Sequence, residues 1–192
     1  MTRRPSDLVP WEKVGIPITL ASQYGKSLVR QTFRDPTGVT HEFSLFGQRD
    51  WATIMPVTAE GLVVTNHEYK QGAHSVVHEL PAGTANFEGE ELEKVAREEL
   101  RAETGYEAEE LIFLGPPIFM SARNSWTRGY LFLAKGCRKV AEQDLDETED
   151  IVTELIPLER WIELCLGTVV EYAAIVATFR ALPYLGYSFV KP

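Results

Sequence analysis

One stretch of this chain repeats with helical spacing while the segments on both sides alternate like strands, and that contrast limits the folds open to it. With residues 90–104 placed at about 100° per residue from Leu92, Val95, Ala96 and Leu100 fall within roughly 80° of it and form one apolar stripe. Gly105 follows as a C-terminal cap. Before the helix, "SLVRQTFRD", "THEFSLFG", "WATIMPVTAEGLVVTNHEY" and "AHSVVHELPAG" read as strands, with "RDPTGV" and "TAEG" as turns. After it come the strands "ELIFLGPPIFMS" and "RGYLFLAKGC", the acidic stretch "KVAEQDLDETED", and a further strand, "IVTELIPL". Two helices, "LERWIELCLG" and "VVEYAAIVATFRALPYL", are parted by Gly167. This order predicts an α/β layered domain around a mixed sheet. A boundary near residue 50 separates an N-terminal β-arm, residues 1–50, from a main body over 51–192.

The apolar stripe of the helix also carries Glu99 and Glu103, each about 20° from its centre by the same arithmetic. As a like-charge (i, i+4) pair they cost an isolated helix roughly 0.2–0.5 kcal/mol. Desolvating both without partners costs several kcal/mol more. Two readings are open. A hard divalent cation with oxygen ligands, such as Mg²⁺, compensates them, or the helix is partly exposed and they are solvated.

The chain has 192 residues and a formal net charge of −9, which argues against nucleic acid or an anionic membrane as the main partner. A compact anionic substrate stays open if the site carries cations of its own. Cys137 and Cys165 make neither a disulfide framework nor a metal cluster, so a reducing cytoplasm is expected. The N-terminal stretch lacks a signal-peptide core, and "YAAIVATFRALPYLGY" is too short and interrupted to span a bilayer. The four histidines have no metal-ligand spacing, and His78 reads as structural.

Residues 79–106, "ELPAGTANFEGEELEKVAREELRAETGY", resemble the signature of the Nudix hydrolases, G-x5-E-x7-R-E-U-x-E-E-x-G-U with U apolar. The match runs through Gly83, Glu90, Glu99, Leu100, Glu103, Gly105 and Tyr106. The leading "ELPAG" and the tail "DETEDIVTELIPLERWIELCLGTVVEYAAIVATFRAL" look like the branch that cleaves ADP-ribose and nucleoside diphosphate sugars. The resemblance covers roughly residues 50–182, and the β-arm is typical of the branch. It departs from the signature in three places. One extra residue lies between Gly83 and Glu90, Glu98 stands at the arginine, and Ala102 stands at the first of the paired glutamates. Positions 98 and 102 are (i, i+4) neighbours, so the changes look coupled, and Arg97 offers a cation one position away.

What the resemblance implies is a Nudix-type α/β/α sandwich with a mixed β-sheet, working as a metal-dependent pyrophosphohydrolase. Glu99, Glu103 and the Ala82 carbonyl are the implied ligands of Mg²⁺ or Mn²⁺. The general base is implied to come from "DLDETEDI", with Glu147 favoured and Glu149 a further ligand or backup base. Arg123, Asn124 and Trp126 in "FMSARNSWTRGY" are candidates for phosphate, sugar and base contacts, and Lys70 for a substrate contact. Trp51 is expected in the core, with a nucleobase pocket as its other reading. The branch implies a homodimer using the N-terminal strands. Two other readings stand beside this one: a catalytically impaired Nudix domain that senses a nucleotide, and a Nudix hydrolase of another diphosphate, such as a dinucleoside polyphosphate or coenzyme A.

Overall fold

The computed structural model describes residues 4–188. It divides into two units: residues up to Arg49 together with Phe119–Thr127, and Asp50–Ile118 together with the chain from Arg128 onward.

The first unit is built on a three-stranded antiparallel sheet, in the order β1 (Glu12–Gln23), β2 (Lys26–Arg34), β3 (Thr40–Gly47). β1 lies outside the stretches that read as strand in sequence. The turn "RDPTGV" closes as expected: the Asp35 carboxylate accepts from the Thr37 amide at 2.9 Å, the Thr37 hydroxyl at 2.6 Å and the Val39 amide at 3.1 Å. These bonds, with one from His41, hold the Asp35 carboxyl well below its usual range. The sheet buries few side chains, and Ile16, Ile18 and Leu20 of β1 are exposed. The segment Phe119–Thr127 joins this unit through the Phe46 amide, which donates to the Asn124 carbonyl at 2.9 Å.

The second unit is a mixed sheet between helical layers. Its strands are β4 (Trp51–Thr58), β5 (Leu62–Lys70), β6 (Ser75–Glu79), β7 (Ala82–Thr84), β8 (Tyr106–Glu107), β9 (Glu110–Phe113), the first residue of β10 (Ile118–Phe119), β11 (Arg128–Lys139) and β12 (Ile151–Pro157). β11 runs parallel to β4, and the other registered pairs are antiparallel, with β5 between β4 and β12. The helices are α1 (Leu92–Thr104), α2 (Leu158–Gly167) and α3 (Tyr172–Ala181).

The middles of strands β4 and β11 are mostly apolar because both faces are covered. On β4, Ala52 and Ile54 pack with Val95, Ala96 and Leu100 of α1, while Met55 and Val57 pack with Trp161, Ala173 and Ala177 of α2 and α3. On β11, Phe132 and Ala134 face α1, and Leu131 and Leu133 face the other two helices. Helix α1 ends where expected. Gly105 takes φ 75° and its amide bonds to the Arg101 carbonyl, and a side chain there would run into the Ala141 carbonyl. Among the described residues no helix is long and apolar enough to cross a membrane.

Candidate functional site

The inward stripe of α1 is where the sequence places it: Val95, Ala96, Leu100 and Glu103 are buried, and Glu99 is half-buried. Glu103, 5% exposed, accepts two hydrogen bonds on Oε2, from Asn66 Nδ2 at 2.8 Å and from the Ala82 amide at 3.2 Å. Asn66 is fixed in turn by the Thr153 hydroxyl, which donates to its Oδ1 at 3.1 Å. Gln143 Nε2 closes the network on the Glu103 carbonyl at 2.5 Å and on Thr153 Oγ1 at 3.2 Å. Asn66, Gln143 and Thr153 were not among the expected site residues. The only local signal was an amide, Asn66, inside the apolar run "VVTNHEY".

Glu99 has no such support. Among the described residues no hydrogen bond or ion pair reaches its carboxylate, which lies over the backbone of Gly83. Strand β7 is held to β4 by the pairs Trp51↔Thr84, Ala52↔Gly83 and Thr53↔Ala82, so Gly83 stands in a fixed place, and a Cβ on it would overlap the Glu99 carboxylate. This close approach is the physical need for glycine there. Trp51, at the start of β4, has its ring against the Gly129 backbone.

Electrostatics set the pair apart. Burial, then the charges of Glu149 and Asp146, then Glu98 and Glu90, push Glu99 up to about 7. Burial, then Glu99 and Glu79, push Glu103 well above the usual carboxylate range against the opposing pull of the Ala82 amide. Among the described residues no lysine, arginine or histidine pairs with either carboxylate. The donor set suits a hard divalent cation: oxygens only, an excess of negative charge, and a half-buried carboxylate without a partner.

The remaining candidates fall in different surroundings. In the acidic loop Glu149 is half-buried, its carboxylate accepts from the Asp146 amide at 2.9 Å, and its charge weighs on both Glu99 and Glu103. Glu147 is exposed. The Lys70 ammonium is held by Glu68 and by Glu79, the latter at 2.8 Å. Burial alone would lower its pKa, but those two carboxylates raise it. Glu79 is pushed up to about 7 by burial, which the Lys70 hydrogen bond only partly offsets. Arg123, Asn124 and Trp126 belong to the first unit. Arg123 and Trp126 line a cavity of about 470 Å³ with Trp11, Phe33, Phe43 and Leu45, and Asn124 Oδ1 takes the Ser121 hydroxyl at 2.5 Å.

One expectation is corrected. Arg97 does not replace the cation missing at position 98, because its guanidinium pairs with Glu93 at 3.1 Å on the exposed side of α1. The cation beside position 98 is Lys94. It bridges Glu90 at 2.9 Å and Glu98 at 3.5 Å, one helical turn to either side. The Glu90 carboxylate also accepts from the Asn86 amide at 2.6 Å, which ties the loop before α1 to the helix.

No protein-family model matches the chain, and no curated protein matches it in sequence. In structure it is similar to a protein described as an ADP compounds hydrolase, known from a crystal structure. The TM-score is 0.79 at 20% sequence identity, over 93% of this chain and 96% of that one. At that identity the likeness is one of fold: a mixed α/β architecture shared with that hydrolase across nearly the full length of both chains.

Proposed function

We propose that this chain is a Nudix-type, metal-dependent pyrophosphohydrolase that cleaves ADP-ribose or a related nucleoside diphosphate sugar into a nucleoside monophosphate and a sugar phosphate. The observation that carries the reading is the Glu99–Glu103 pair: two inward carboxylates one helical turn apart, amid further negative charge, with no lysine, arginine or histidine among the described residues paired to either. Such a pair is tolerable where a cation joins it. The fold likeness to an ADP compounds hydrolase supports the same reading.

Glu99, Glu103 and the Ala82 carbonyl would hold Mg²⁺ or Mn²⁺, which when bound neutralises a diphosphate and makes a water more acidic. Asn66 and the Ala82 amide aim Glu103, and Gly83 leaves room for Glu99. We assign Glu149 as the group that takes the proton of the attacking water, because its charge bears on both helix carboxylates. Glu147 is the alternative base. The aromatic walls beside Arg123 suit stacking on a base and contact with phosphate or sugar, with Trp126 as one wall and Asn124 supporting the loop. A phosphate contact from Lys70 requires it to leave Glu68 and Glu79. The exposed apolar side chains of β1, Ile16 at 89% among them, suit a homodimer built on the arm. Free, buried Cys137 and Cys165 suit a reducing cytoplasm.

The test is appearance of the two cleavage products, separated by chromatography, from a panel of nucleotide sugars, dinucleoside polyphosphates and coenzyme A with Mg²⁺ or Mn²⁺. Turnover confined to nucleotide sugars and lost in Glu103→Gln is expected. Tight nucleotide binding without turnover would instead mark a sensor in which Glu98 and Ala102 have silenced the site. Turnover unchanged in Glu103→Gln would refute the metal assignment.

A further inference from the structure

The histidines, spaced too widely in sequence to suggest a metal site, are partly gathered by strand pairing. In the antiparallel β5–β6 ladder His67 lies opposite His78, and their rings stack at 3.9 Å between centroids, 21° from parallel. Glu154 of β12 reaches the same place, its Oε2 at 2.8 Å from His67 Nε2. A ring nitrogen from each histidine and a Glu154 oxygen lie within 4.8 Å of one another.

The site is built as well as gathered. The Thr65 hydroxyl gives its one proton to the Glu154 carbonyl at 3.2 Å, so it accepts from His78 Nε2 at 2.9 Å. That bond protonates His78 Nε2 and leaves the lone pair on Nδ1, which is how a second partner fixes the tautomer of a metal-binding imidazole. The Trp161 ring packs edge-on against His78 at 5.0 Å and limits its rotation. His67 and Glu154 are part-exposed, their side chains 34% and 52% accessible, so an ion has an entry path. Because successive strand residues face opposite ways, His67 and Glu154 lie behind Asn66 and Thr153, on the other side of the sheet from Glu103.

We propose that His67, His78 and Glu154 form a second divalent-metal site, separate from the acidic pair on α1, that takes Zn²⁺ and clamps β5, β6 and β12 together. Two imidazoles and one carboxylate are a zinc donor set, with water completing the tetrahedron. Hard, oxygen-seeking Mg²⁺ is disfavoured by the same donors. Stacked rings aim their lone pairs along nearly parallel planes, so ligation turns the part-exposed His67 ring toward Glu154 while Thr65 and Trp161 keep His78 in place. The proposal is independent of the reading given to Glu99 and Glu103.

The test uses the full chain carrying Glu103→Gln, in excess Mg²⁺, so that the acidic pair does not compete. Zn²⁺ titration by calorimetry is expected to give one tight equivalent. Long-range ¹H–¹⁵N spectra of the imidazoles are expected to shift His67 and His78 together at that equivalent. Adding His67→Gln or His78→Gln is expected to weaken Zn²⁺ binding by more than about tenfold. An affinity unchanged by either substitution overturns the site. So does one equivalent of Zn²⁺ that leaves both ring signals in place, or no zinc binding at all, and the spectra decide even where a histidine variant fails to fold.

Discussion

Glu103→Gln separates the cost of an inward carboxylate from what a cation returns. In metal-free protein above neutral pH, Glu103 is 5% exposed and surrounded by Glu99, Glu79 and Glu149. Whether it keeps its charge or takes up a proton, folding carries the cost. Glutamine has nearly the same shape, and its Oε1 accepts from Asn66 Nδ2 and the Ala82 amide as the carboxylate does. Losing the charge weakens those two bonds by roughly 1–2 kcal/mol together. Removing a buried ion without a counter-charge is worth several kcal/mol, so a net gain of about 1–3 kcal/mol is expected. For a chain of this length that is roughly 2–4 °C in thermal midpoint per kcal/mol. Metal inverts the ordering or closes the gap: at a free concentration about 100 times its Kd, Mg²⁺ or Mn²⁺ stabilises the wild type by about 2.7 kcal/mol, and a variant lacking a ligand gains less. The assay is thermal unfolding by circular dichroism in EDTA and then in saturating metal. A variant less stable than the wild type in EDTA would refute the reasoning, as would an equal gain on adding metal.

Three further outcomes are expected. In EDTA, wild-type stability falls as pH rises from about 5.5 to about 8, because Glu99, near 7, and Glu103 hold protons in the folded state that the unfolded chain has already released; Glu99→Gln flattens that slope, and identical slopes for the two proteins would sink the assignment. Gly83→Ala forces a methyl group onto the Glu99 carboxylate and is expected to lower turnover on the order of 100-fold while circular dichroism shows the fold intact, so unimpaired turnover contradicts the geometry. Asn66→Ala strips a buried donor from Glu103 and a buried acceptor from Thr153, costing about 1–3 kcal/mol in urea unfolding, and Asn66→Asp is worse because it adds a charge; a loss under about 0.5 kcal/mol in the alanine variant would show the network to be slack.

The parts of this protein legible in its sequence are those ruled by local periodicity. The helical repeat places Glu99 and Glu103 on the buried stripe and Gly105 at its end, because 3.6 residues per turn leaves no other face for them. The apolar runs of β4 and β11 point to a sheet covered on both sides. Lys94 lay within reach of the same arithmetic, four residues from both Glu90 and Glu98, whereas Arg97 is four from Glu93 and so turns outward.

What the tertiary structure alone decided are the partners brought from afar. Asn66, Gln143 and Thr153 meet Glu103 from β5, the acidic loop and β12, and no sequence interval links them. That Glu149, together with Asp146, brings loop charge to bear on Glu99 depends on how one short loop folds back. His67, His78 and Glu154 converge only through the register of two strand ladders. The segment Phe119–Thr127 likewise joins the arm across more than seventy residues, through the backbone of β3. Periodicity is written into each segment by backbone geometry, while these meetings are set by which ladders pair and in what register, a property of the whole sheet.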